Sequence, residues 1–161
     1  MPKFPNNGFT LVELLIVVSI IAVLSSIGFV TYTEFNKGAR DAKRLTDLKF
    51  IQSALEQYYG DDFNYPQAKT ADVCEDGVIA NPLDGGCSLT KGGKTYVKEL
   101  PKDPLSSNIQ YLFTALPNGC NNTADNLCVS YCLHAKVENN GNAKTDTGCE
   151  NSSYNLNIGP P

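Results

Sequence analysis

From Leu14 to Val30 the chain carries seventeen successive residues without a charge. With Phe9 to Val12 before them and Thr31 and Tyr32 behind, the apolar-dominated stretch reaches the roughly 20 residues a helix needs to span a bilayer. The pattern then changes rather than stops. Ala39, Ala42, Leu45, Leu48, Ile51, Leu55 and Tyr58 recur every three or four residues among charged neighbours, which predicts one apolar face of an amphipathic helix. Asp41, Lys43, Arg44, Asp47, Lys49 and Glu56 fall off that stripe, with Arg44 spaced for modest surface pairing to Asp41 and Asp47. Gly60 supplies the expected stop, Asp61 and Asp62 continue a helix poorly, and Pro66 closes it. A helix unbroken from Phe9 to Tyr59 holds fifty-one residues and is roughly 75 Å long. Gly28 and Gly38 are its soft points, and no proline lies between Pro5 and Pro66 to kink it. So long a rod cannot be covered by the residues that follow, so its first half needs lipid or other copies.

Beyond Asp61 the composition shifts to Gly, Asn, Asp, Pro and Cys, with no second membrane segment, basic block or clear repeat. Alternation marks strands at Tyr111 to Leu116 and at Val129 to Val137, where Val129, Tyr131, Leu133, Ala135 and Val137 share a face, and again at Tyr154, Leu156 and Ile158. A small antiparallel sheet of three or four strands on the Leu48 to Tyr59 face of the helix would bury the apolar side of each. The expected class is α+β: a long N-terminal α-helix, membrane half plus amphipathic half, packed on a small β-sheet head with disulfides.

Glu13 interrupts this simple picture, because a charge near the middle of a bilayer costs roughly 2.5 to 3.5 kcal/mol on insertion scales and asks for a partner. The residues before it are informative: a short polar leader with one lysine ends in Gly8, then Phe9-Thr10-Leu11-Val12-Glu13 opens the apolar run. No small-x-small cleavage site closes that run, so an ordinary removable signal peptide fits poorly. The string resembles the precursors of the type IV pilin and pseudopilin family. That resemblance implies cleavage between Gly8 and Phe9 by a membrane prepilin peptidase, N-methylation of Phe9, and pairing of Glu13 with the amino terminus of a neighbouring subunit. It also implies partners: other copies of the chain, minor pilins, an inner-membrane platform, an assembly ATPase, and membrane lipid before assembly. Physics agrees, since a carboxylate and an ammonium meeting in a dry helix bundle attract strongly and either alone is penalised. The passage Leu100-Pro101-Lys102-Asp103-Pro104 followed by Tyr111-Leu112-Phe113 looks like the loop and strand of major pseudopilins of type II secretion.

Six cysteines, Cys74, Cys87, Cys120, Cys128, Cys132 and Cys149, fit an oxidising compartment and pair in any of fifteen ways. Neighbour pairing is the expectation, each bridge closing a short loop worth about 2 to 4 kcal/mol. Zinc is the competing use, but no CxxC occurs and His134 is the one histidine. The oxygen-rich loop Glu138-Asn139-Asn140-Gly141-Asn142 with Asp146 reads as a solvated turn before a calcium site, because EF-hand spacing is absent; no cofactor is expected. Asn121-Asn122-Thr123 and Asn151-Ser152-Ser153 match a glycosylation acceptor pattern that an Asn-rich chain produces by chance. No GxSxG elbow accompanies His134, so catalysis is not expected.

Lys37, Arg40, Lys43 and Arg44 follow the apolar run while Lys3 alone precedes it, a bias that places the distal side in the cytoplasm. The cysteines and the leader argue for export, and we take them as decisive. The domains expected are a leader at 1–8, the long helix at 9–60 (9–32 for membrane or filament core, 33–60 amphipathic), and an exported head at 61–161. The function expected is that of a structural subunit of a pilus-like filament at the cell surface or in the periplasm. A pseudopilin of type II secretion is the alternative within the class. A signal-anchored surface binding module is the alternative outside it. A net charge of −4 disfavours nucleic acid as a partner, and the chain has no phosphate-binding loop to power movement.

Overall fold

A computed structural model describes residues 8–69, 74–80, 83, 86–105 and 110–161. The leader positions 1–7 lie outside the described residues. The chain divides into two units at Lys37 and Gly38. Helix α1, Leu11–Asp62, runs through both. Among the described residues it is the helix long and apolar enough to cross a membrane.

In the first unit every described large apolar side chain from Phe9 to Phe29 is exposed, from 46% at Val17 to 83% at Phe9. Ser19, Ser26 and Thr31 turn their hydroxyls back onto carbonyls of the preceding turn, at 2.8, 2.7 and 3.2 Å. Their polarity is thereby satisfied inside the helix, and the surface stays apolar.

The second unit is built on the amphipathic half of α1. Leu48, Ile51, Leu55 and Tyr58 are fully buried and share one core with the sheets. The principal sheet orders β5 (Leu112–Leu116), β6 (Ser130–Ala135), β8 (Leu156–Ile158) and β7 (Lys144–Thr145). Its β5–β6 and β6–β8 pairs are antiparallel, as the alternation implied, but β7 joins β8 in parallel, so the sheet is mixed at that edge. Among the described residues, two small pairs accompany this sheet. β1 (Gln67–Lys69) runs parallel to β2 (Val78–Ala80), and β3 (Leu89–Lys91) forms a hairpin with β4 (Lys94–Val97). The hairpin turns on Gly92 and Gly93 at φ 57° and 81°, a two-residue reversal that side chains with a Cβ disfavour.

Aromatic rings join helix to sheet. Tyr65 meets Tyr131 edge-on at 4.7 Å, Tyr131 stacks with Phe113 at 6.2 Å, and the hydroxyls of Tyr65 and Tyr131 both donate to Glu56. Within β6 the expected shared face holds for Tyr131, Leu133, Ala135 and the following Val137, whereas Val129 is 61% exposed. Val129 precedes β6, and there the alternation no longer selects a face.

Two local expectations are corrected. The helix does not stop at Gly60 but continues to Asp62, where Phe63 takes the left-handed conformation at φ 55° and its N–H donates to the Tyr59 carbonyl at 2.8 Å. Asp61 stays helical because its carboxylate accepts from Lys94 and, at 2.8 Å, from the Tyr96 hydroxyl. Asp41 and Arg44 are not a surface pair but are buried. Asp47 does not meet Arg44 and instead accepts from the Tyr111 hydroxyl at 2.8 Å.

Candidate assembly site

Gly8 and Phe9 are exposed coil, immediately before the helix. Thr10 precedes the first helical residue and Glu13 is the third, and the two cap each other. The Glu13 N–H donates to Thr10 Oγ1 at 3.2 Å, while Glu13 Oε2 accepts from the Thr10 N–H at 3.0 Å and from its hydroxyl at 2.8 Å. This is a capping box, in which a hydroxyl and a carboxylate satisfy N–H groups that the first turn leaves without carbonyl partners. A carboxylate at a helix N-terminus also meets the positive end of the helix dipole. The sequence reading assigned Glu13 an intermolecular role and missed this local one, although the Thr-x-x-Glu spacing carried the signal.

The cysteines are paired as Cys74–Cys87, Cys120–Cys128 and Cys132–Cys149, with Cα separations of 5.3, 5.2 and 5.5 Å. Cys128 N–H donates to Asn122 Oδ1 inside the 120–128 loop, and Leu100 N–H donates to the Cys87 carbonyl. The third bridge ties β6 to the turn that leads toward β8.

A second cluster, absent from the sequence reading, fixes the head to the helix. Arg44 places Nε and Nη2 on the two Asp103 oxygens at 2.7 and 3.0 Å, and Nη1 on Asp41 at 2.8 Å and Glu138 at 2.9 Å. Arg40 grips both Glu138 oxygens at 2.6 Å. Asp41 also accepts the N–H groups of Glu138 and Asn139, each at 2.9 Å, and the Asn142 amide at 3.2 Å. The loop after β6 is therefore held by a helix carboxylate.

Burial opposes the Arg44 charge, but the bonds to Asp103, Glu138 and Asp41 outweigh it and raise its pKa. Arg40 first, and then Arg44, pulls the Glu138 carboxyl down to about 2 against the resistance of burial. Burial likewise works to raise Asp41, yet the N–H groups of Glu138 and Asn139 hold it below its ordinary value.

The oxygen-rich loop considered for calcium thus has its Glu138 oxygens on two guanidiniums, and Asp146 accepts from Lys144 at 3.0 Å and the Gly159 N–H at 3.2 Å. His134 is buried in the sheet, its Nδ1 2.8 Å from Asn157 Oδ1 and its Nε2 3.3 Å from Thr114 Oγ1. Burial lowers its pKa, partly offset by Asn157. Asn121 and Asn151 turn their side-chain oxygens onto Thr123 and Ser153, closing local turns.

Residues 3–29 match the family model described as the prokaryotic N-terminal methylation motif. The chain is 33% identical over 108 residues to type II secretion system core protein G of Vibrio cholerae serotype O1, covering 66% of this chain and 70% of that one. It is 28% identical over 112 residues to the protein of that name in Aeromonas hydrophila, covering 70% and 76%. The type IV major pilin protein PilA of Myxococcus xanthus is 33% identical over 60 residues, 37% of this chain and 27% of that one. No solved structure matches significantly.

Proposed function

Because the chain belongs to the pilin and pseudopilin family, we propose that it is a membrane-inserted precursor cut between Gly8 and Phe9, N-methylated at Phe9, and polymerised through α1 as the major pseudopilin of a type II secretion filament. The role is mechanical and associative rather than enzymatic. The observation that carries it is the first unit: among its described residues the large apolar side chains from Phe9 to Phe29 are all exposed, and Glu13 stands at the head of that run. Lipid covers such a surface before assembly, and other copies cover it afterwards. The family and the apolar helix place the chain in a membrane with its head exported.

In lipid the Thr10 N–H and hydroxyl keep Glu13 from being a bare charge. In the filament the methylated amine of Phe9 from a neighbouring copy becomes its counter-ion, so that correct axial packing and charge neutralisation coincide. Only a neighbour in the right axial step offers both. Repetition of this heterologous contact grows an open-ended helical array. The peptidase, the membrane platform, the ATPase and minor pilins complete the apparatus as partners, with residues 1–8 as leader, 9–60 as assembly helix and 61–161 as head.

The secretion branch is favoured because the similarity to the Vibrio protein extends over 108 residues, well past the helix, whereas that to the Myxococcus pilin covers 60. The pilin match is the observation that supports the second reading, a surface pilus. The deciding test is the amino-terminal mass of purified protein: a start at Phe9 plus one methyl is expected, and a retained Met1 refutes the processing. Deletion then separates the branches, with loss of enzyme export expected and loss of surface fibres or twitching favouring the pilus.

A further inference from the structure

The two Asn-x-Ser/Thr triplets, which sequence alone leaves equivalent, differ once folded. Asn121 lies in the loop closed by Cys120 and Cys128, and it is exposed. Its Oδ1 accepts the Thr123 hydroxyl at 2.8 Å and the Thr123 N–H at 3.2 Å, while its Nδ2 has no hydrogen-bond partner among the described residues. The neighbouring amides are engaged. Asn122 donates from Nδ2 to the Tyr65 carbonyl at 2.9 Å and accepts the Cys128 N–H at 2.9 Å, and Asn126 donates to the Gly119 carbonyl at 3.1 Å. The backbone of Asn121 is pinned as well, its N–H on the Asn126 carbonyl and its own carbonyl on the Gln67 amide. Asn122 thus uses both ends of its side-chain amide to hold the loop, and Asn121 uses one. In the second triplet Asn151 is half-buried, and its Oδ1 meets the Ser153 N–H at 3.0 Å rather than the hydroxyl.

We propose that Asn121 is an N-glycosylation site, its Nδ2 the acceptor of an oligosaccharide carried on a lipid pyrophosphate. The inference goes beyond the filament reading but rests on its exported head, because this acceptor pattern is used on surface loops of exported chains. In the transfer Nδ2 attacks the anomeric carbon of the sugar. The C–N bond forms as the C–O bond to pyrophosphate breaks, the lipid pyrophosphate leaves with that electron pair, and Nδ2 gives one proton to a base of the transferase. An amide nitrogen is a poor nucleophile, since its lone pair is delocalised onto the carbonyl as in a peptide bond. The Thr123 hydroxyl and N–H answer that difficulty: both donate to Oδ1, favour charge there, and so ease the loss of the Nδ2 proton. The product keeps Oδ1, so the bonds that shape the loop survive the modification. There is room for a bulky group, since Thr123, Ala124 and Asp125 beside it are exposed. Leu127 and Val129, 39% and 61% exposed, flank Cys128 at the end of the same loop, and a glycan there would shield them from water.

The test isolates the full-length protein from the cells that make it, without reducing agent, and maps its peptides by mass spectrometry. The peptide containing Asn121 is expected to carry a sugar mass that releases oxonium ions on fragmentation, with the attachment at Asn121. Thr123→Ser keeps the hydroxyl and should keep the glycan, as should Asn151→Gln, which leaves the loop untouched. Asn121→Gln and Thr123→Val remove the acceptor and the hydroxyl respectively and should lose it. The Cys120–Cys128 disulfide, read from the same spectra, reports whether each variant has folded; should Thr123→Val lack it, Asn121→Gln and Thr123→Ser decide. A bare Asn121 in protein that starts at methylated Phe9, a sugar on Thr123 or Asn151 instead, or a glycan that survives Thr123→Val in folded protein overturns the proposal and leaves the filament reading intact. A chain that keeps Met1 and six free thiols sinks the export on which both stand.

Discussion

Replacing Arg44 by Met removes the centre of the ionic cluster while keeping a long, helix-compatible side chain in its place. The consequence can be apportioned among its partners. Glu138 keeps both bonds to Arg40, and Asp41 keeps three N–H donors. Asp103 is the residue stranded, since it is 2% exposed and retains the Leu105 N–H at 2.8 Å after losing two guanidinium bonds. Breaking a buried pair by removing one partner costs about 3 to 5 kcal/mol, chiefly as the penalty on the charge left behind. The double variant Arg44→Met with Asp103→Leu removes that charge and should return to within about 2 kcal/mol of the parent.

Urea unfolding of the full-length protein in detergent, followed by the near-ultraviolet signal of the buried tyrosines, reads both numbers. The pH dependence supplies an internal check. Glu138 and Asp41 have folded pKa values below their unfolded ones, Glu138 near 2. Their contribution is therefore present above the unfolded values near 4 and is lost as pH falls toward the folded ones. Because Glu138 keeps Arg40 and Asp41 keeps its N–H donors in Arg44→Met, both proteins should weaken across that window, the parent by the further share that Arg44 adds to Glu138 and Asp41. A single variant within about 1 kcal/mol of the parent at pH 7, or a double variant less stable than the single, would refute the assignment of the cost to Asp103.

Phe63 holds φ 55° while 75% exposed, and Phe63→Gly should stabilise the head by about 1 kcal/mol in the same assay by relieving the left-handed penalty; a loss would mean the ring earns its position through Tyr59, 6.4 Å away. Opening the longest loop with Cys132→Ser and Cys149→Ser should cost about 2 to 4 kcal/mol, read as a lower urea midpoint, and an unchanged midpoint would show that the β6–β8 pairing alone holds that segment. Glu13→Gln retains a capping side chain but not the charge, so helix content by circular dichroism should stay near parental while filament yield falls. Equal yields would remove the proposed ion pair from the assembly rule.

The sequence by itself determined whatever depends on neighbours along one helix or strand. Seventeen uncharged residues define the membrane half, the spacing from Leu48 to Tyr58 defines the packed face, and Gly8 to Glu13 form a local motif. Alternation was sufficient to place β5 and β6 and to identify Leu133 as inward-facing. The capping box was equally local and was legible in Thr10 and Glu13. Tertiary structure decided what depends on residues far apart in the chain. Arg44 looked like a surface residue because i, i+3 and i, i+4 reasoning sees only its own helix, whereas its principal partner, Asp103, lies 59 residues away. The same holds for Asp41, which captures a loop about a hundred residues distant, and for the parallel β7–β8 edge. The partial cover of the apolar stripe, buried at Leu48, Ile51, Leu55 and Tyr58 but exposed at Ala42 and Leu45, belongs to this second kind. Periodicity marks a stripe as apolar, but only the folded head shows where its own cover ends, because cover is a property of packed surfaces and not of the order of residues.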